Sequence, residues 1–204
     1  MLDTTTAIIT FYIERVWSEV AKKYLIIIPG LGDRKWLYSF VKPIWVLLGF
    51  KTHVLKYGWN SDVTESCVAQ QSLVDFIDTI HSNNVYIIGV SAGGMAAVNT
   101  LTSSSSKVMK VATICSPYSP IPGLNNQLII SSSSQLQLSL QTMSQDVKNK
   151  ILAIYSRYDQ VVSVQYCRPL GIKTKVIRII GHGPSIVFSL TVLSQFIKHF
   201  FLKS

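Results

Sequence analysis

The strongest constraint on the fold is an alternation. Six short apolar runs, at 24–28, 52–55, 85–88, 108–114, 151–154 and 175–180, are separated by longer, mostly amphipathic stretches. Most of the runs are rich in Ile and Val, the composition of a strand covered on both faces. Strands spaced by helix-length segments point to βαβ units and a mainly parallel sheet in an α/β fold. Helices are expected at about 34–48, 64–82, 92–101 and 185–200, with a shorter one near 162–166. Residues 7–22 place Ile9, Ile13, Val16, Trp17 and Val20 at helical spacing, so a helix packed on the sheet is expected within 1–23. Glu14 and Glu19 dilute the basic polar face that an interfacial membrane helix needs.

The chain has 204 residues, 48% apolar and 14% charged, which excludes disorder and provides for a sizeable core. That length accommodates one domain over 1–204. The one long excursion, 116–147, is irregular and too short for a cap domain, although it is a candidate for a small lid. The serine clusters at 103–106 and 131–134 are expected in loops. Two stretches approach the roughly 20 apolar residues of a membrane span, but Lys42 and Pro43 interrupt one and Lys198 and His199 the other. Residues 1–10 contain Asp3 and no basic start, so no secretory signal is expected.

The net charge of +9 would suit an anionic partner. Lys and Arg are nevertheless scattered with no run of five, so no nucleic-acid partner is expected. Peripheral contact with an anionic membrane through the Trp-rich 36–45 segment has only composition behind it. The three cysteines, Cys67, Cys115 and Cys167, are odd in number and form no C-x-x-C. They argue against a disulfide framework and a zinc site, and for a reducing cytoplasm. No metal or cofactor is expected, and oligomeric state is left open.

The motif that carries chemistry is Gly89-Val90-Ser91-Ala92-Gly93, placed where a buried strand ends and a helix begins. Turning from strand to helix at one residue forces Ser91 into a strained conformation and leaves room only for small residues at 89 and 93. The helix N-terminus beside the serine can bind a developing oxyanion. The plain structural alternative is a Gly-rich turn with no chemical role.

A serine hydroxyl is a weak nucleophile and needs a base held by a third group. Asp159 follows the run at 151–154, and His182, in Gly181-His182-Gly183, follows the run at 175–180. Both fall at the carboxyl edge of the expected sheet, in the order Ser, acid, His. His53, His81 and His199 suit strand, helix-end and helix-face roles, and Asp33, Asp75, Asp78 and Asp146 suit turns, caps or solvated helix faces.

From residue 24 onward the chain resembles the α/β-hydrolase superfamily, and within it the minimal, capless lipases and esterases of bacteria. The resemblance rests on the Ser91 elbow, on Ile26-Ile27-Ile28-Pro29-Gly30-Leu31-Gly32, and on the closing pattern of Asp159, Val162 and Gly181-His182-Gly183. It implies a three-layer fold and an oxyanion hole built from the backbone N–H groups of Leu31 and Ala92. Many such lipases carry His where this chain has Pro29, and the superfamily's first two strands have no counterpart in 1–23.

The expected activity is a serine hydrolase cleaving carboxylic esters, with Trp36, Ile121 and Leu124 as candidates for acyl contact. Cleavage of acyl thioesters uses the same residues, and a binding module on a hydrolase fold is the non-catalytic alternative.

Overall fold

The computed structural model describes residues 23–61, 65–103 and 107–203. Within them, six strands form one parallel sheet: β1 (Tyr24–Ile28), β2 (Lys51–Val54), β3 (Val85–Val90), β4 (Val108–Ile114), β5 (Ile151–Tyr158) and β6 (Lys173–Ile180). Their order is β2-β1-β3-β4-β5-β6. Each expected run is a strand, and β5 continues past 154 to Tyr158. The helices are α1 (Lys42–Leu47), α2 (Ser66–Asp78), α3 (Gly93–Ser103), α4 (Gln127–Thr142), α5 (Gln145–Lys148), α6 (His182–Thr191) and α7 (Ser194–Leu202).

The sheet is covered on both faces because successive side chains of a strand point to opposite faces and nearly all of those in β1 and β3 are apolar. Ile26, Ile28, Val85 and Ile87 pack with Leu73 and Ile77 of α2, Met95 and Val98 of α3, and Leu128 and Leu136 of α4. Leu25, Ile27, Tyr86 and Ile88 face the other way, onto Trp45 of α1, Leu190 of α6, and Ile197 and Phe201 of α7. The result is a three-layer α/β/α arrangement without a cap domain among the described residues. Connections leave β1 and β3 toward opposite edges of the sheet, so the carboxyl ends of these neighbouring strands open a crevice at the switch point.

Several expected elements differ. The single helix at 34–48 is a 3₁₀ turn, Lys35–Tyr38, followed by α1. Pro43 lies in the first turn of α1, where a missing N–H costs nothing, and it could not lie inside a longer helix. The helix at 185–200 is two helices bent by 59°. The N–H groups of Val192 and Leu193 both close onto the Phe188 carbonyl and end α6 there.

At 162–166 there are only turns, with Tyr166 N–H bonded to Ser163 O and Cys167 N–H to Val164 O. The serines at 131–134 are not a loop but part of α4. Ser132 and Ser133 are buried, and their small side chains let α4 approach α3, where Asn99 Nδ2 donates to Ser132 O at 3.1 Å. Ser131 and Ser134 fold their hydroxyls back onto the helix carbonyls of Leu128 and Ile130. Ser103 ends α3, and 104–106 lie outside the described residues, as does the helix expected at 7–22. Among the described residues no single helix is long and apolar enough to cross a membrane.

Candidate active site

Ser91 leaves β3 with φ +52°, a left-handed conformation that is uncommon for a residue with a side chain. Its N–H is held by Ile114 O of β4 at 2.8 Å, and its own carbonyl accepts from Gly94 N–H as α3 begins. The turn is possible only because three neighbours lack a Cβ. One on Gly89 would collide with the backbone of Gly93 and Gly94, and one on Gly93 with the carbonyls of Ile28 and Pro29. One on Gly30 would come within 2.7 Å of Ser91 Cβ. The loop after β1 therefore lies directly against the serine.

That loop presents Leu31, which is 53% exposed. The N–H groups of Leu31, Gly32 and Ala92 have no protein acceptor among the described residues. The loop is anchored from behind by Asp33, expected from the sequence in a turn, a cap or a solvated helix face. Asp33 does occupy a turn, at φ +48°, but its carboxylate is buried. Oδ1 accepts from Tyr57 N–H and Oδ2 from Gly58 and Trp59 N–H, each at 2.9 Å. Trp59 Nε1–H adds a bond to Pro29 O at 3.0 Å. Tyr38 also lies behind the loop; burial pushes its phenol up to about 12, partly offset by a hydrogen bond with the Gly30 backbone. No local pattern marks these partners, because they come from a segment more than twenty positions away.

Asp159 and His182 meet because β5 and β6 are paired to their ends, with Tyr158 opposite Ile180 and Gly181 N–H bonded to Tyr158 O. Gly181, at φ +91°, then turns the chain so that His182 opens α6. His182 Nδ1 is 2.7 Å from Asp159 Oδ2. Asp159 Oδ1 accepts from the N–H groups of Val161 and Val162, both at 2.9 Å. Burial pushes the pKa of this carboxyl up, but the bonds from His182 and the two backbone N–H groups outweigh it and hold the group below the ordinary aspartate range. Its side chain is fully covered, whereas that of His182 is 15% exposed. With Nδ1–H donated to Asp159, His182 presents an imidazole whose other nitrogen is free to accept a proton. Ser91 Oγ makes no hydrogen bond with His182 among the described residues.

Two buried thiols border this pair. Cys115, at the carboxyl end of β4 with φ +51°, has Sγ within 4.8 Å of an Asp159 carboxylate oxygen and a His182 ring nitrogen. Burial, then the Asp159 charge, push the Cys115 thiol up. The same two causes raise Cys167 to about 12. The other histidines keep structural positions: His53 stacks on Tyr24 at 6.0 Å, and His81 and His199 are exposed.

Of the residues expected to receive an acyl chain, Ile121 and Leu124 line one small apolar cleft of about 50 Å³ with Met95, Pro117 and Ile129. Trp36 stands instead on the 3₁₀ turn, 68% exposed.

No family model matches this sequence, and no curated protein matches it either. Solved structures do. The ydeN gene product of B. subtilis superposes with a TM-score of 0.67 at 15% identity, over 89% of this chain and 100% of its own. A Paleococcus ferrophilus monoacylglycerol lipase gives 0.66 at 10% identity, over 87% and 93%. MGS-MChE2, an alpha/beta hydrolase enzyme from a lagoon-sediment metagenome of Mar Chica, Morocco, gives 0.61 at 17%, over 88% and 90%. The chain has the α/β-hydrolase fold. In open α/β sheets ligands bind at the carboxyl edge of the strands, and Ser91, Asp159 and His182 all stand on that edge.

Proposed function

We propose that the protein is a serine hydrolase that cleaves carboxylic esters, with Ser91 as nucleophile, His182 as base and Asp159 as the group that orients the base. One observation carries the reading: the 2.7 Å His182–Asp159 bond, formed at the same sheet edge as a serine held at φ +52°. In this scheme Ser91 Oγ attacks the ester carbonyl carbon while His182 takes the hydroxyl proton. Asp159 keeps Nδ1 protonated and stabilises the imidazolium. The tetrahedral oxyanion is received by the unspent N–H groups of Leu31 and Ala92 at the start of α3. The imidazolium then protonates the leaving alkoxide, and a water activated by the same histidine releases the acid. A structural neighbour named as a monoacylglycerol lipase and another named as a hydrolase support the reaction class.

Acyl thioesters of an anionic carrier are the second reading. It is favoured by the +9 charge and by a larger cleft of about 490 Å³ lined by Lys148 and Arg168, which shares Ser119 with the apolar cleft. Hydrolysis of p-nitrophenyl esters of increasing chain length, measured beside acyl thioesters, separates the two. Turnover of esters by the parent and not by Ser91→Ala is the expected result, and equal turnover by both would reject the assignment.

A further inference from the structure

We propose that Cys115, Asp159 and His182 form a binding site for a thiophilic divalent cation, with Zn²⁺ as the fitting ion, and that occupation of the site switches the hydrolase off. The inhibitory half rests on the ester-hydrolase reading; the binding half does not. Among the described residues this is the one cluster that brings thiol, carboxylate and imidazole together, with one ligand atom from each within 4.8 Å of the others. Sulfur, nitrogen and oxygen are the ligand set zinc takes, at about 2.3, 2.0 and 2.1 Å respectively. Tetrahedral geometry then needs ligand atoms roughly 3.2 to 3.8 Å apart. The His182–Asp159 pair would open from 2.7 Å by about half an ångström to admit the ion. The histidine that has to move lies between Gly181 and Gly183, and Gly183 faces open space.

Charge favours the same ion. Cys115, on giving up its proton, and the Asp159 carboxylate together offer two negative charges in a covered site, and a divalent cation neutralises both, with a water completing the tetrahedron. Binding releases the Cys115 thiol proton to solvent. Whichever ring nitrogen is taken, His182 can no longer accept a proton from Ser91: coordination at Nε2 occupies the lone pair, and coordination at Nδ1 moves the ring proton onto Nε2. Cys167 is the neighbouring thiol not assigned to the site, since its Sγ is directed to Val162 O at 3.7 Å.

The test uses the full chain carrying Cys67→Ala, because Cys67 is an exposed thiol that would capture zinc on its own. Zn²⁺ is titrated by calorimetry and against hydrolysis of p-nitrophenyl acetate, and Co²⁺ is added in parallel to look for a thiolate-to-cobalt absorption band. One ion per chain, activity falling with occupancy and returning with a chelator, and a cobalt–thiolate band are the expected results. Cys115→Ala should weaken binding by at least about tenfold, the scale on which even outer partners of a metal act, and remove the band while still hydrolysing ester. Cys167→Ala should bind as its parent does. Ser91→Ala should bind zinc undiminished without hydrolysing ester, so continued hydrolysis by that variant would reject the functional reading and leave the metal site standing. Absence of the band, full affinity in Cys115→Ala, equal weakening in Cys167→Ala, or full activity at zinc saturation would each overturn the proposal.

Discussion

At Asp159 three donors converge on one covered carboxylate, and this sets two measurable consequences. Asp159→Asn keeps the shape but presents an amide to His182, favouring the wrong tautomer, and kcat is expected to fall by about 10⁴-fold. Because the folded carboxyl lies below the ordinary aspartate range of about 4, the folded state holds this proton less tightly than the unfolded chain. Its contribution to stability is therefore present above that range and is lost as pH falls through the lowered folded value. Thermal melts taken on acidification should show a steeper loss in the parent than in Asp159→Asn, and parallel curves would contradict the assignment. The turn at Ser91 and the Asp159–His182 pair were legible in the sequence because each residue carries a local signal, a glycine-framed turn or a loop after an apolar run. Cys115 could not, since its closeness to Asp159 arises from the pairing of β4 with β5 and leaves no mark around residue 115.

The loop after β1 behaves as an element of its own, with Gly30 against the serine, the Leu31 N–H unspent and Asp33 bolted to the segment at 57–59. Asp33→Ala would orphan three backbone N–H groups at once, two of them buried, and should destabilise the fold by about 3 kcal/mol or more. Denaturant melts check this, and a loss within experimental error would show that the clamp is not structural. Leu31→Ala removes only an exposed side chain and should be mild. Leu31→Pro deletes the donor and is expected to lower kcat by about 10² to 10³ in protein shown by circular dichroism to be folded. Near-parental turnover by Leu31→Pro would move the donor to Gly32, whose N–H is also unspent. Helices were less legible than strands for a related reason. A buried strand carries its signal in a few consecutive residues, whereas the break after Thr191 depends on which carbonyl the next N–H groups reach, and the serines of α4 are helical because α3 requires small neighbours.

Across the whole molecule, the parallel six-stranded sheet could be read from the alternation of runs because burial on both faces demands uninterrupted Ile and Val. The order of the strands could not, since it depends on which edge each crossover takes. That order matters for the chemistry, because it puts the loops after β1 and β3 side by side and those after β5 and β6 at the same edge. The proposed function requires that this edge activate one serine among the many in the chain. Labelling the folded protein with a fluorophosphonate and mapping the adduct by peptide mass spectrometry reads this out, since only a serine with a working base and oxyanion donors reacts rapidly with such a phosphorus. Modification of Ser91 alone, abolished in Ser91→Ala and in His182→Ala but retained in His199→Ala, is the expected result. An adduct on another serine, or none in folded protein, would show that Ser91 is not the activated nucleophile.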